Sequence, residues 1–340
     1  MGCCKTILVR ILGVIFLLCL EVQKFWNGAA SRKNLLIELF TSNVKRYGLY
    51  LNSFLILLAK FSYTMKYFFS LAFFLAFYTA TAQFKIMSYN IRYDNAGDSI
   101  NQWSNRKEKM NTLLKKYKPD VACFQEALYN QVNDLQMFLP DFNYCGVGRD
   151  DGKKKGEFSP IFYNKAKFAF IEGTTFWLSE TPNVPGSKGW DAAITRICTY
   201  VKLKEKRSGK IVVIFNTHFD HIGDTARLMS AKLILEKIRV LAKKSPVILA
   251  GDFNSEPEGK AYIEIINSKN PKLTDSFVLN DKNSTCTFTG FAKDGGICKR
   301  IDYIFYSKHL STSHFLIADD NDGKYYVSDH LPVMVEVKWK

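Results

Sequence analysis

The 340-residue chain has few cysteines and no long uninterrupted apolar run, and each shortage excludes a class of protein. Eight cysteines are too sparse over this length to build a small scaffold from disulfides. No apolar stretch reaches the roughly 18 residues that a clean bilayer span needs, which excludes a multi-pass membrane protein. Hydrophobic residues nevertheless make up 47% of the sequence, so a disordered chain is excluded and a sizeable core is expected.

Positive charge is in excess, but it is unevenly distributed. The net charge is +15, of which the first 82 residues contribute +7, because nine Lys or Arg face only Glu21 and Glu38 there. The other 258 residues carry +8, which describes a moderately basic domain compatible with phosphate-rich partners. Spare surface lysines that keep a protein soluble explain this charge equally well, so it does not identify a nucleic-acid-binding protein.

Residues 65–82 have the three parts of a secretory signal peptide. Lys66 supplies the basic start, residues 67–78 form the apolar run, and small residues form a cleavage site that ends at Ala82. The mature protein is therefore expected to begin at Gln83 and to be exported to the periplasm or the extracellular space, without a stable membrane span.

A signal peptide is expected at the start of a chain, so 64 residues before it are inconsistent with that role. We interpret them as a wrongly assigned or non-folded N-terminal extension, with Met65 as the initiator. The alternative is a membrane-anchored form, because residues 1–6 (MGCCKT) match a myristoylation pattern with two cysteines available for palmitoylation.

From residue 83 onwards, short apolar strands alternate with amphipathic helices, and no internal repeat or low-complexity linker divides them. Residues 83–340 are therefore predicted to form one α/β domain. The predicted helices are 103–117, 128–139 and 225–243, and the first should expose its Arg, Lys and Glu residues. The predicted strands are 84–89, 121–125, 144–147, 159–163, 168–178, 196–203, 211–219, 247–250, 303–306 and 333–338.

Polar residues stand where several of these strands end, which is where α/β folds usually place their sites. They comprise three carboxylates, two amides and two imidazoles: Glu126, Asp252, Asp329, Asn90, Asn254, His218 and His330. Hard oxygen donors without clustered thiols suit Mg²⁺, Mn²⁺ or Ca²⁺ and not a structural zinc ion. Such a set serves the hydrolysis of phosphate esters by activated water. Each motif alone has an ordinary alternative, such as a turn or a helix N-cap for Asp252-Phe253-Asn254.

Six motifs occur in order, five with these residues and one, KRIDYIF, with Asp302: SYNIR, FQEAL, NTHFDH, AGDFNSEP, KRIDYIF and VSDHLPV. Together they resemble the endonuclease/exonuclease/phosphatase superfamily, which shares the fold of DNase I and exonuclease III, over residues 84–340. The intervening stretches GRDDG, GEFSPIFY, FWLSETP and GWDAAITR are similar to a secreted bacterial branch of it. The resemblance implies a four-layered α/β sandwich, in which two mixed β-sheets pack face to face with helices outside.

The resemblance also implies a divalent-metal-dependent phosphoesterase, nuclease-like or phosphatase-like, with Mg²⁺ as the expected ion and Mn²⁺ or Ca²⁺ as alternatives. Glu126 would be the main metal ligand, with Asn90 and Asp329 in the metal shell. His330 would be the general base or a phosphate contact, oriented by Asp302. The remaining implied roles are activation of water by Asp252, phosphate binding by Asn254 and His218, and weaker substrate contacts by Asp220, Tyr163, Arg149 and Arg196.

The sequence leaves the substrate and some structural details open. A phosphate ester is expected as the partner of a monomeric protein, and it can be a nucleic acid, a nucleotide or a phospholipid head group. The alternatives are a non-catalytic polyanion-binding module of the same fold and a lipid-directed phosphodiesterase acting on phosphoinositide or sphingomyelin. Lys153-Lys154-Lys155 is a polyanion contact or a solvated loop. Cys286 and Cys298 flank a short loop and can form a disulfide, whereas Cys123 and Cys198 are expected to be buried thiols.

Overall fold

The computed structural model describes residues 83–277, 285–292, 297–318 and 326–340. The extension predicted for residues 1–64 and the signal peptide predicted for 65–82 lie outside the described residues. Four α-helices occur in the described part of the chain: α1 (Trp103–Tyr117), α2 (Tyr129–Phe138), α3 (Asp224–Ala242) and α4 (Lys260–Asn267). None of these helices is both long enough and apolar enough to cross a membrane.

Twelve β-strands occur in the same part of the chain. In the first half they are β1 (Gln83–Asn90), β2 (Val121–Gln125), β3 (Phe142–Cys145), β4 (Ile161–Asn164), β5 (Phe168–Trp177) and β6 (Ile197–Glu205). In the second half they are β7 (Ile211–His218), β8 (Val247–Asp252), β9 (Leu273–Asp275), β10 (Asp302–Ser307), β11 (Leu310–Ile317) and β12 (Val333–Trp339).

The strands form two six-stranded sheets, ordered β11-β12-β1-β2-β4-β3 and β5-β6-β7-β8-β10-β9. Both sheets are mixed, because β1 runs parallel to β2 and β7 runs parallel to β8, while their other paired neighbours are antiparallel. A parallel pair needs a crossover connection, and helices α1 and α3 supply it.

Three apolar clusters show how the layers are stacked. One cluster combines inward-facing residues of both sheets, such as Ile86 and Ile248, so the sheets pack face to face. The second joins α3 and α4 to one sheet through residues such as Ile234 and Phe305. The third joins α1 and α2 to the other sheet through Met110 and neighbouring residues. The predicted four-layered α/β sandwich is confirmed.

The local patterns explain why these segments form these elements. β8 is buried along its whole length because it lies in the middle of a sheet that is covered on both faces. Helix α1 buries Met110, Leu113 and Leu114 and ends at Tyr117, after which Lys118 has a left-handed backbone and Pro119 follows. Helix α4 and strands β9 and β11 were not among the predicted elements.

Candidate active site

The carboxyl ends of the parallel pairs in both sheets open into one cavity of about 1250 Å³. Strand register brings key residues to this edge, because His218 lies opposite Asp252 across β7–β8 and Asp252 lies opposite Asp302 across β8–β10. Six of the seven polar residues predicted at strand ends line the cavity, namely Glu126, His218, Asp252, Asn254, Asp329 and His330. The seventh, Asn90, hydrogen-bonds to two of them.

Asn90 joins the carboxylates that the two sheets contribute. Its side-chain nitrogen donates to Glu126 Oε1 at 3.0 Å and to Asp252 Oδ2 at 2.9 Å. Its side-chain oxygen accepts the backbone N–H of Arg92 at 3.0 Å, which fixes the amide orientation. Glu126 also accepts the backbone N–H of Tyr93 at 3.2 Å. Two carboxylates from different sheets are therefore held within reach of a single bound group.

Asp302 and His330 form the predicted pair. His330 Nδ1 lies 2.9 Å from Asp302 Oδ2, and both residues are buried. His330 Nε2 points to the other side, 3.7 Å from Asp252 Oδ2. Burial acts to lower the pKa of His330, but the charges of Asp302 and Asp252 outweigh it and raise this pKa to about 10. The pair therefore favours a charged imidazole that presents one N–H to the cavity.

His218 and Asn254 lie on the other side of Asp252. His218 Nε2 is 3.4 Å from Asp252 Oδ2 and 3.2 Å from the side-chain nitrogen of Asn254. Burial and the positive charge of Arg196 lower the pKa of His218, so its neutral form is favoured. The two imidazoles of the site therefore differ in charge because their surroundings differ.

Glu157 is a site residue that the sequence reasoning did not single out, although it lies within the GEFSPIFY stretch. Its carboxylate accepts a hydrogen bond from Arg149 Nη1 at 2.6 Å and lies 3.8 Å from His218 Nδ1. Burial and the charge of Glu126 raise the pKa of Glu157 to about 7 despite the opposing effect of Arg149. Glu157 also lines the cavity, and its place in the site follows from non-local contacts that no local sequence pattern contains.

Arg149, Arg196 and Asp220 occupy the same wall, and both arginines line the cavity. Asp220 is buried behind Arg196, lies 3.3 Å from its Nε and accepts the backbone N–H groups of Ile222 and Gly223. Burial acts to raise the pKa of Asp220, but these donors outweigh it and lower the pKa. Asp220 therefore orients Arg196 from behind.

Tyr163 and the lysine run lie apart from this group. Tyr163 belongs to the apolar core between the sheets, and its ring stacks on that of half-exposed Phe170, with the ring centroids 6.1 Å apart. Lys153, Lys154 and Lys155 are exposed in a loop and do not line the cavity. The structure pairs Cys286 with Cys298 in a disulfide, and among the described cysteines Cys123 and Cys198 are buried free thiols.

Unusual backbone conformations occur at the site. Glu126 and Asn254 have positive φ angles of 61° and 44°, a region that non-glycine residues rarely occupy. Gly251 precedes Asp252, and a Cβ atom there would clash with the carbonyl oxygen of Thr217 on β7. Glycine therefore lets β8 carry Asp252 close to His218, and strain of this kind is common at functional sites.

The donor set fits a hard divalent cation. Ligand atoms of Glu126, His218 and Asp252 lie within 4.8 Å of one another. Burial and the negative charge of Asp302 raise the pKa of Asp252 to about 7, and burial also raises the pKa of Asp329. Carboxylates crowded in this way resist ionisation until a cation offsets their charge. Glu126 and Asp329, two of the predicted ligands, line the cavity and would hold the ion, whereas Asn90 turns its side-chain N–H group towards the carboxylates and would orient Glu126 within the metal shell.

Fold and site together define a phosphoesterase of the DNase I-like type. Residues 87–330 match the Endonuclease/Exonuclease/phosphatase family, and the chain belongs to that family, which generally uses divalent metals. Its curated and structural relatives include RNA exonucleases and a phosphatase, so it is a hydrolase that acts on phosphate esters.

Three relatives illustrate the range of the family. The chain is similar to an endonuclease/exonuclease/phosphatase from Bacteroides vulgatus, with 37% identity, a TM-score of 0.73, and coverage of 76% of this chain and 100% of that one. It is also similar to a mannosyl-6-phosphatase from Bacteroides thetaiotaomicron, with 38% identity, a TM-score of 0.68, and coverage of 75% and 100%. RNA exonuclease NGL1 of Saccharomyces cerevisiae is 24% identical over 340 residues, covering 76% of this chain and 93% of that protein.

Proposed function

We propose that the chain is a divalent-metal-dependent phosphatase that removes the phosphate from small, hydroxyl-rich phosphomonoesters by attack of an activated water. The observation that carries this choice is the charge of the cavity. Among the described residues its lining contains eight carboxylates and six Lys or Arg side chains, and the exposed residues of the rim include Asp224, Glu256 and Glu258 beside Lys260 and Lys299. A nucleic-acid groove shows the opposite balance, because it must neutralise a row of phosphates.

Carboxylates on the rim suit a sugar-like substrate. A carboxylate accepts hydrogen bonds from hydroxyl groups, whereas it repels the flanking phosphates of a polynucleotide. Among the described residues, the Tyr and Phe side chains that line the cavity are Tyr93 and Phe288, and these two do not form a row of stacking surfaces for successive bases. The 38% identity to a mannosyl-6-phosphatase supports the same choice over RNA, since the RNA exonuclease NGL1 is 24% identical.

The proposed chemistry assigns a task to each side chain. Glu126 and Asp329 would hold a Mg²⁺ ion, which would supply positive charge that offsets the phosphate oxygens, and Asn90 would orient Glu126 in the metal shell through its side-chain N–H group. Asp252 orients the attacking water and accepts its proton. Asn254, His218 and His330 hold the phosphate oxygens through N–H groups, which stabilises the charge that develops during the reaction.

We also propose that the protein is exported, as in a secreted bacterial branch of the family. The signal-peptide pattern of residues 65–82 supports this. The Cys286–Cys298 disulfide also supports it, because disulfides persist in oxidising compartments. N-terminal sequencing of the native protein should find Gln83, and peptides from residues 1–64 would contradict the proposal.

A substrate panel tests the proposed activity. Purified protein is incubated with mannose 6-phosphate, p-nitrophenyl phosphate, bis(p-nitrophenyl) phosphate and a short single-stranded RNA, each with Mg²⁺ or with EDTA. We expect Mg²⁺-dependent release of inorganic phosphate from the two monoesters, with mannose 6-phosphate the better substrate. Faster cleavage of RNA, with a rate that falls steeply as salt is added, would contradict the choice of a small substrate.

Glu126→Ala tests the metal centre directly. Calorimetric titration with Mg²⁺ should show greatly weakened binding, because the ion loses a full negative charge at its main ligand. Glu180→Ala is a matched control, since Glu180 is exposed and does not line the cavity. Unchanged Mg²⁺ affinity in a folded Glu126→Ala protein would mean that the ion binds elsewhere.

A further inference from the structure

A short segment, Thr287–Gly290, lies between the two chain segments that carry Asp302 and His330. On one side, Phe288 exchanges backbone hydrogen bonds with Lys299 at 2.9 and 3.2 Å. On the other side, the backbone oxygen of Thr287 accepts the N–H of Leu331 at 2.7 Å. We name residues Thr287–Gly290 the bridging segment, because its backbone is hydrogen-bonded to residues near Asp302 on one side and near His330 on the other.

The Thr287 side chain is fully buried, and its hydroxyl group takes part in three hydrogen bonds. Its hydroxyl oxygen accepts the backbone N–H of Ile301 at 2.9 Å and that of Asp302 at 3.0 Å. The same hydroxyl group donates to the backbone oxygen of Lys299 at 3.3 Å. One side chain therefore fixes the backbone at the point where Asp302 enters β10.

The rest of the bridging segment contacts the His330 side of the pair. The ring of Phe288 lies 4.8 Å from the ring of His330, measured between centroids. The backbone N–H groups of Thr289 and Gly290 donate to the backbone oxygen of Asp329 at 2.8 and 3.1 Å. Displacement of the segment would therefore move the imidazole relative to Asp302.

The Cys286–Cys298 disulfide closes this arrangement at its end. Cys286 directly precedes Thr287, and Cys298 directly precedes Lys299, the residue that Phe288 pairs with. Cys286 is half-buried and Cys298 is exposed, so a small dithiol can reach the bond. The bond therefore ties together the two backbones that the Thr287 hydroxyl also joins.

We propose that Thr287 is a positioning residue for the Asp302–His330 pair and that the adjacent disulfide makes turnover sensitive to dithiol reductants. The proposal rests on the phosphatase function proposed above. A dithiol such as dithiothreitol supplies two electrons and two protons, the S–S bond breaks into two thiols, and the reductant becomes a cyclic disulfide. Without the bond, the bridging segment is held only by hydrogen bonds and packing contacts, and the orientation of the imidazole loosens.

Thr287→Val and Thr287→Ser form the first test. Valine keeps the shape but removes the hydroxyl, so kcat should fall roughly tenfold to a hundredfold with little change in KM. Serine keeps the hydroxyl and should restore most of the turnover. Thr199→Val is the matched control, because Thr199 is equally buried but bonds to Thr175, away from the pair. A folded Thr287→Val protein with unchanged kcat would overturn the positioning role.

The disulfide is tested with dithiothreitol and with the double variant Cys286→Ser/Cys298→Ser. Both should lower kcat, and the double variant should no longer respond to dithiothreitol. Adding Thr287→Val to the double variant should cost less than it does in the wild type, because both changes release the same segment. A reduced wild type with unchanged kcat, once loss of the bond is verified by mass spectrometry, would overturn the redox part of the proposal. The dithiothreitol experiment also tests the role of the bridging segment if the Thr287→Val protein does not fold.

Hydrogen exchange separates this proposal from the proposed function. The amides of Ile301, Asp302 and Leu331 should exchange faster in the reduced protein than in the oxidised one, whatever substrate the enzyme uses. Faster exchange in a protein that hydrolyses no phosphate ester would support the bridging segment and contradict the phosphatase. Unchanged exchange in an active enzyme would overturn the bridging segment alone.

Discussion

At the scale of single residues, the site works by giving similar side chains different surroundings. His330 faces two carboxylates and its pKa rises to about 10, whereas the pKa of buried His218, which also faces Arg196, is lowered. A buried imidazole bonded to a carboxylate through Nδ1 also has one tautomer and one orientation. His330 is therefore a hydrogen-bond donor with a fixed direction, whereas His218 is a neutral imidazole.

The Asp302–His330 pair leads to a prediction about two variants. His330→Ala should lower turnover by roughly 10²–10⁴-fold while leaving the fold intact, because the N–H aimed at the cavity is lost. Asp302→Asn should cost less, since it weakens orientation and charge support without deleting the imidazole. Steady-state kinetics measure both effects, and thermal melts check folding.

The control for these variants is His309→Ala. His309 is exposed in the turn between β10 and β11, so its loss should leave turnover unchanged. Turnover close to wild type in a well-folded His330→Ala protein would contradict the mechanism proposed for this site.

At the scale of elements, α1 is tied to the active-site loops by a buried arginine. Arg106 is 1% exposed, and its Nη1 donates to the backbone oxygens of Ile91 and Val327 at 2.8 and 2.7 Å. Ile91 directly follows Asn90, and Val327 lies two positions before Asp329. The expectation that the basic residues of this helix face solvent was wrong for Arg106. Through Arg106, helix α1 is therefore hydrogen-bonded both to the residue after β1 and to the loop before β12.

Arg106→Met should destabilise the protein by roughly 2–4 kcal/mol, because several buried carbonyl groups lose a charged donor. Urea denaturation measures the change in the free energy of unfolding. Arg239→Met on the exposed face of α3 provides the comparison and should change stability by no more than about 0.5 kcal/mol. Equal effects of the two substitutions would show that the buried bonds of Arg106 contribute nothing.

At the scale of the whole molecule, face-to-face packing of two sheets concentrates negative charge between their ends. The cavity collects Glu126 and Glu157 from one sheet and Asp252 from the other. The pKa of Glu157 is raised to about 7 from an ordinary value near 4.5. Between these two values the folded protein keeps a proton that the unfolded chain has released. Raising the pH therefore favours the unfolded chain, until the effect is complete above about pH 7.

In the presence of EDTA, Glu157 should therefore make the free energy of unfolding fall as the pH rises from about 5 to 7, while His218, whose pKa is lowered, acts in the opposite direction below its ordinary pKa near 6.5. Glu157→Gln should reduce this fall, because the amide does not titrate. Glu172→Gln, at an exposed position of β5, should leave the fall unchanged. Urea denaturation at several pH values measures the free energy of unfolding. The same pH dependence in the wild type and in the Glu157→Gln variant would contradict the prediction.

Much of the fold was predictable because it depends on local patterns. The helix predicted over 103–117 is α1 with the same bounds, since apolar spacing and a following proline determine both its face and its end. The predicted strand over 121–125 is β2, and six ordered motifs indicated the family. Polar residues at strand ends were expected around one opening, and the cavity brings them together.

Other features depend on contacts between distant parts of the chain, which no local pattern contains. Glu157 joins the site through its approach to His218, and Tyr163 turns away from it because its side of β4 faces the other sheet. The bonds of Arg106 and Thr287 likewise depend on which loops the two sheets place side by side. The sequence alone determined most of the elements and the chemistry available at their ends, because hydrophobic period and residue type are local properties. The tertiary structure decided which groups meet, because strand register and sheet packing set the distances between them.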